Sequence, residues 1–275
     1  MVELKNGDVS ILQWRDINEL IDYSFINGDL DKNTERFGNN RWSLSNNREC
    51  STQNRSEKLL KSGRGLSTIR KISQNYRDEF QNTDLNDLMN TVQSVKRTRK
   101  FNDFDGNLDF DRVMSGNMDY WERVERTGDY KVVRVGINYG MSNGNTIDNF
   151  SRLVGLGAIF CEILENIGYG VEIYGANIKQ GGMGDDKKVN GHIFPVKAVN
   201  EPLDFERIYS LGIPALLRRF TFRTEYVLSG DYGGWSYMPK QDVLDVANID
   251  VLLTRSWTDK NKQVETIIQA IENLK

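Results

Sequence analysis

Apolar residues recur with clear periods in the second half of this chain and only in fragments before it. Val132 to Ile137 is a mostly apolar, β-branched run, which suits a strand at the centre of a sheet. It ends in a polar loop, Asn138-Tyr139-Gly140-Met141-Ser142-Asn143-Gly144. From Ile147 to Ile167 the apolar positions cover much of a helical circumference, so a largely buried helix is expected, with Gly168 as its C-cap. Val171 to Tyr174 then predicts a second strand and completes a strand–helix–strand unit.

The remaining pattern extends this unit. Lys179 to Asn190 is polar and glycine-containing, and it lacks the Gly-Lys-Ser/Thr ending of a phosphate loop. It reads as a hairpin turn or flexible loop before a strand from His192 to Val199. Asp204 sits where a helix through Ile208 and Tyr209 would start, and Ala215 to Phe222 predicts another helix. Ser229 to Trp235 is a loop rich in glycine and aromatics. Val243 to Asn248 predicts a short helical turn, Ile249 to Leu253 a buried strand, and Lys262 to Leu274 an amphipathic helix lying on the sheet.

The first part of the chain is different material. Ile11, Leu12 and Trp14 lead into Ile17, Leu20 and Ile21, with helix-like spacing. Residues 29–56 are dominated by Asn, Ser, Arg and Glu and predict a long polar arm. Helical spacing returns from Leu66 to Phe80 and again from Leu85 to Val92. A connector from Phe101 to Gly116 and a short helix from Met118 to Arg126 follow. The expected organisation is therefore a mixed helical and irregular region over 1–129 and an α/β domain over 130–275.

Composition narrows the chemistry. Hydrophobic residues make up 38% of the chain, so part of it is expected to lie outside a core. A formal net charge of −3 points to neither a nucleic-acid nor a membrane partner as a whole-chain property. Lys96, Arg97, Arg99 and Lys100 form one local exception, either a phosphate-binding edge or a solvated helix end. The two cysteines, Cys50 and Cys161, do not make a disulfide framework, and Cys161 falls inside the apolar helix. The single histidine, His192, is the only base a triad-type hydrolase could use, and its place at a strand start reads as a structural or surface residue. No apolar run reaches the roughly 18 residues of a membrane span, and Met1 to Asp8 is not a signal region, so a cytoplasmic protein is expected.

The strand from Val132, its polar loop, the long helix, the Tyr169–Tyr174 strand entry and the strand ending before Thr254 together resemble a von Willebrand factor A-type domain. The likeness is to the divergent versions found in bacteriophages, over about residues 130–275. The resemblance implies an α/β fold with a sheet flanked by helices. It also implies a metal edge built on an Asp-x-Ser-x-Ser run, whose matching positions here are Asn138, Gly140 and Ser142. Only the serine is retained, so the family's cation is expected to be absent or to be a weakly held Mg²⁺ on Asn138, Ser142 and Asp259. Asp148 is a further candidate, and Asp250 sits at the wrong end of its strand.

The same resemblance implies a non-enzymatic module that binds a protein, often a ring-forming AAA+ ATPase, in the host cytoplasm for a phage-encoded chain. The loops after Asn138, Tyr174 and Leu253 would form the contact face. Tyr139, Arg134, Trp235, Trp257 and Arg255 are then the anchor candidates. The rival expectations are three. One is an enzyme using Glu172, Asp148, Asp185, Asp186 or Asp259 with Arg134 or Arg255. Another is a nucleic-acid-binding protein using residues 96–100. The last is a self-associating structural component of a phage particle, with the polar arm wrapping its neighbours.

Overall fold

The computed structural model describes residues 1–25, 53–83, 98–102, 107–108, 110–115, 121–125, 131–140, 147–166, 168–182, 185–229, 241–254, 270–271 and 273. Its strands are β1 Val2–Asn6, β2 Val9–Gln13, β3 Thr98–Asn102, β4 Asn107–Leu108, β5 Trp121–Glu125, β6 Val132–Asn138, β7 Gly170–Gly182, β8 Asp185–Lys197 and β9 Val251–Leu253. Its helices are α1 Ile17–Tyr23, α2 Gln53–Lys61, α3 Ser67–Thr83, α4 Phe110–Met114, α5 Ile147–Asn166, α6 Phe205–Ser210, α7 Phe222–Ser229 and α8 Gln241–Ala247. A π-helix, Leu216–Thr221, runs directly into α7.

The main sheet has six strands in the order β1-β2-β8-β7-β6-β9. β6 is parallel to both β7 and β9, as a buried strand–helix–strand unit requires. β7 and β8 form a long antiparallel hairpin, β8 is parallel to β2, and β2 closes on β1 through an antiparallel hairpin. This mixed sheet, flanked by helices, is the α/β architecture expected from the sequence. A separate three-stranded antiparallel sheet has the order β3-β5-β4.

Alternation along β6 places Val133, Val135 and Ile137 in the larger core, under α5. The opposite face meets α8 and the chain before β9, where Ala176, Ile178, Val243, Ala247 and Ile249 form a second core. Gly136 lies on that second face. A Cβ there would stand 2.7 Å from Leu252 Cδ1 and 2.9 Å from Ile249 Cδ1, so glycine is what allows β9 to close against β6.

Helix α5 is buried along nearly its whole length, as its apolar coverage predicts. Gly157 faces the sheet, where an added Cβ would be 2.8 Å from Ile137 Cδ1. Gly155 faces α3, where a Cβ would be 3.3 Å from both Cα and Cβ of Ser73. Ser73 Oγ donates to the Ser151 carbonyl at 2.9 Å, and Arg77 forms a two-point bridge to Glu162 at 2.6 and 3.2 Å. At the helix end, Gly168 takes a φ of 101° and the Tyr169 amide returns to the Leu164 carbonyl at 3.0 Å, the close expected of a C-terminal glycine.

Several sequence expectations are corrected here. The division at 129/130 does not separate two cores. β1 and β2 belong to the same sheet as β6, and Trp14, Leu20, Leu60, Leu66 and Ile69 share one core with α5. Residues 118–126 contain strand β5 in place of the expected helix. Its pairing with β3 and β4 supplies long-range hydrogen bonds that a five-residue helix could not match. β7 does not end at Tyr174 but runs to Gly182, and β8 starts at Asp185 within the expected polar loop. Gln53 to Ser56, assigned to the polar arm, begin helix α2. The rest of that arm and the helix expected over 85–92 lie outside the described residues.

Lys197 closes the far end of the hairpin onto α5. Its side chain is buried, and its Nζ donates to the carbonyls of Val171 at 2.9 Å and Ala198 at 3.1 Å and pairs with Glu165 at 2.9 Å. All the donors of a buried ammonium are thus used.

Two substitutions test this packing. Gly155→Val should push α3 off α5 and lower stability by about 1–3 kcal/mol, read as a fall of several degrees in the unfolding midpoint. Lys197→Ala should cost about 3 kcal/mol in urea unfolding, because it strips the ammonium from Glu165 and from two carbonyls at once.

Candidate functional site

The parallel strands β6 and β9 end on one rim of the sheet, and β7 continues past them. Ends of parallel strands are where α/β sheets usually place a site. Asn138 closes β6. Its Oδ1 accepts the Gly140 amide at 3.0 Å, a side-chain turn that swings the chain off the sheet, and its Nδ2 reaches the Ile178 carbonyl on β7 at 3.5 Å. Gly140 is required by what it faces. A Cβ at that position would collide with Asn177 Oδ1 and lie 2.9 Å from Asn138 Oδ1.

Behind Gly140 a chain of buried polar groups crosses four elements. Asn177 on β7 is fully buried and donates through Nδ2 to Glu225 Oε1 of α7 at 2.9 Å. The same Glu225 oxygen is 3.7 Å from His192 Nε2 on β8. His192 Nδ1 accepts from Trp14 Nε1, just beyond β2, at 3.1 Å, and the two rings stack at 5.9 Å. The indole nitrogen can only donate, so Nδ1 must be the acceptor and the imidazole proton sits on Nε2, facing Glu225. Asn177 and His192 are register partners in the β7–β8 ladder, which sets their side chains side by side on one face. Asn177 Oδ1 has no hydrogen-bond partner, and the methylene of Gly140 packs against it.

Tyr139 turns to the helical face. Its phenol is hydrogen-bonded to Thr221 Oγ1 at 3.1 Å, and Thr221 Oγ1 in turn donates to the Leu216 carbonyl at 2.9 Å. A threonine hydroxyl has one proton, so the phenol must be the donor of the first bond. Burial pushes the Tyr139 phenol well above its ordinary pKa. The Thr221 hydrogen bond offsets part of that rise and the nearby Glu225 charge adds to it, so the side chain stays neutral. Thr221 ends the π-helix, whose wide turn delivers this hydroxyl to the rim.

Among the described residues, the polar side chains of the rim are therefore buried and largely bonded to one another, with the Glu225 carboxylate at their centre. His192 is only 4% exposed, and among the described residues no three His, Cys, Asp or Glu side chains gather to hold a metal.

The sequence candidates distribute as follows. Asn138 is at the rim, but it is buried and its Oδ1 is committed to Gly140. Tyr139, expected as an exposed anchor, is 1% exposed. It continues the Val133-Val135-Ile137 alternation and so must face the core. Arg134, the second expected anchor, lies in the first half of β6, away from the rim, and its Nε pairs with Glu172 at 3.3 Å. Tyr174 donates to that same carboxylate at 3.2 Å. Burial first, and then the Glu172 charge, push the Tyr174 phenol up. Asp250 accepts the Arg134 amide at 2.7 Å at the start of β9, the far end from the rim. Asp148 is exposed in the first turn of α5. Ser142, Trp235, Arg255, Trp257, Asp259, Lys96 and Arg97 lie outside the described residues. Arg99 and Lys100 lie on β3. Asn177, Glu225 and the Trp14–His192 contact were not among the sequence candidates. The one local signal for them is a lone polar residue, Asn177, between Ala176 and Ile178.

A second concavity of about 230 Å³ lies at the other end of β8. Leu60, Phe194 and Leu211 line it together with Lys61 and Arg207. Lys61 is bound to Asp22 at 2.6 Å and Glu57 at 3.0 Å, and Arg207 to Glu201 at 3.4 Å, so both cations already have carboxylate partners. Among the described residues no helix is long and apolar enough to cross a membrane.

No curated protein and no solved structure gives a significant match to this chain. A family model does, and it spans both halves of the sequence, in keeping with a single sheet that draws strands from each. The chain belongs to the family described as Domain of unknown function (DUF7192), whose model matches residues 5–274.

Proposed function

We propose that this chain is a non-enzymatic protein-interaction module that presents the strand-end rim of β6, β7 and β9 to a protein partner. The observation that supports this reading is the state of the polar groups there. Asn138 is tied to Gly140, Tyr139 to Thr221, and Asn177 to Glu225. A nucleophile or general base must be held within reach of an open cavity, and these side chains are buried and engaged with one another. What such a network does supply is a rim whose shape is set before any partner arrives, which lowers the ordering cost of association.

The likeness to the von Willebrand factor A type adds the class of partner. A ring-forming AAA+ ATPase in the host cytoplasm is the partner that this likeness implies. The fold class, an α/β sheet flanked by helices, agrees with the likeness without deciding it.

In this reading the contact needs no cation. Mg²⁺ favours carboxylate oxygens, whereas the described residues of the rim offer two carboxamides and one carboxylate that is already bonded to Asn177. A site occupied at 100 times its Kd would add about 2.7 kcal/mol of stability. Replacing EDTA with millimolar Mg²⁺ should therefore move the unfolding midpoint by less than about 1 °C. A rise of several degrees would show a working cation site.

Two matched surface changes test the rim itself. Asn190 is exposed on β8 towards the rim, and Asn200 is exposed beyond the opposite end of β8. With tagged protein expressed in its natural host cell, Asn190→Arg should reduce recovery of the co-purifying partner roughly tenfold, and Asn200→Arg should leave it unchanged. Equal recovery with both variants, at unchanged unfolding midpoints, would remove the rim as the contact surface.

A further inference from the structure

The outer edge of the sheet is a second surface, independent of the rim. β1 is the terminal strand of the six, and its Val2 is 60% exposed. An edge strand carries a row of backbone donors and acceptors that pair readily with another strand. Which residues carry them is fixed by the hairpin. Gly7 and Asp8 form a two-residue loop, with Gly7 at a φ of 57°, so the flanking pair Asn6 and Val9 is hydrogen-bonded. Pairing then alternates along the ladder, Leu4 with Ile11 and Val2 with Gln13.

The other side of β2 fixes the same parity. Val189 N donates to Asp8 O at 3.0 Å and Trp14 N to Ile193 O at 2.9 Å, so the even-numbered residues there address β8 and residues 9, 11 and 13 address β1. The backbone groups of β1 that point outward are therefore those of Glu3 and Lys5.

We infer that β1 pairs antiparallel with β1 of a second copy of this chain, in the register that places Leu4 opposite itself. In that register Glu3 stands directly opposite Lys5 of the partner subunit, and Lys5 opposite Glu3 of the partner subunit. Each of these two pairs exchanges two backbone hydrogen bonds, using the groups that the hairpin leaves pointing outward. The charges select the register. Centring on residue 3 would set Glu3 against Glu3, and centring on residue 5 would set Lys5 against Lys5, both unfavourable.

Ser10 Oγ holds Glu3 through Oε1 at 2.7 Å, which orients the carboxylate along this face and leaves Oε2 for the incoming ammonium. Lys5 is exposed. The Leu4–Leu4 contact falls at a non-hydrogen-bonded position, where facing side chains approach most closely. The exposed Val2 is covered by the partner's hairpin strand.

Sedimentation of the full chain, from about 1 to 100 µM at low salt, tests the pairing in the range expected of a small interface. The wild type should dimerise, and the dimer should weaken as salt rises. Glu3→Lys and Lys5→Glu each set like charges opposite one another and should each weaken the dimer roughly tenfold or more. Mixing the two single variants should restore a dimer that contains one of each, and the double exchange should restore the homodimer, since both arrangements recover opposite charges at both pairs. Both positions are exposed, so an unchanged unfolding midpoint is the check that the variants still fold. A wild type that stays monomeric at 100 µM overturns the inference. So does a dimer indifferent to the single reversals, or a mixture that fails to pair. None of these outcomes bears on the rim, which the Asn190 and Asn200 variants address.

Discussion

The close approach of α5 to both of its neighbours is the constraint on which this fold rests. The helix is buried on the sheet side and on the α3 side at once, and an unbroken cylinder of large side chains would hold those layers apart. Gly157 lets Ile137 and Leu253 into the sheet side, and Gly155 lets the backbone of α3 into the other. Two glycines cost helix propensity of about 1 kcal/mol each. That cost is offset by the layers it joins, because the larger core contains Trp14, just beyond β2, and residues from α1, α2, α3, β6, α5, β7, β8, α6 and β9. The N-terminal segments are thus part of the domain's core and are not an appendage to a separate second-half fold.

Polar fastenings then fix what apolar packing alone leaves free to slide. Lys197 ties the end of β8 to β7 and α5, and Trp14, His192, Glu225 and Asn177 tie β2, β8, α7 and β7 at the rim. Such buried groups contribute little net stability when satisfied and cost much when one partner is lost, so their effect is chiefly on register and orientation. At the rim this acts together with the π-helix, which brings Thr221 to Tyr139. The strand ends are consequently held by side chains from helices distant in sequence.

What could be read from the sequence follows from how local each signal is. The strand over Val132–Asn138, the buried helix over Ile147–Asn166, its Gly168 cap and the Asp204 cap of α6 all depend on periods and caps within a few residues, and each stands where its pattern places it. β5 and the extension of β7 through Gly175-Ala176-Asn177 depend on partners far along the chain, and local composition there argues against strand. The candidate site fell between these cases. Asn138 was legible as the strand end. The burial of Tyr139 was implied by continuing the β6 alternation one step, and reading it as a loop residue missed this. Glu225, His192 and Trp14 come together only through tertiary packing, and nothing in their spacing announces it.

The rim and the β1 edge have a geometric relation that bears on function. Antiparallel pairing of β1 with its copy is a two-fold rotation about an axis normal to the sheet. It keeps α5 of both copies on one face and α8 of both on the other, and joins the two sheets into one layer. It also reverses strand direction, so the rim of one copy points opposite to the rim of the other. A module of this kind, with one contact surface per copy, would become a connector with two ends. Two surfaces that face apart cannot close on one small partner, but they can bridge successive partners or hold a partner at each end. The avidity of such a connector depends on the spacing of the sites it spans and not on additional contacts within either rim.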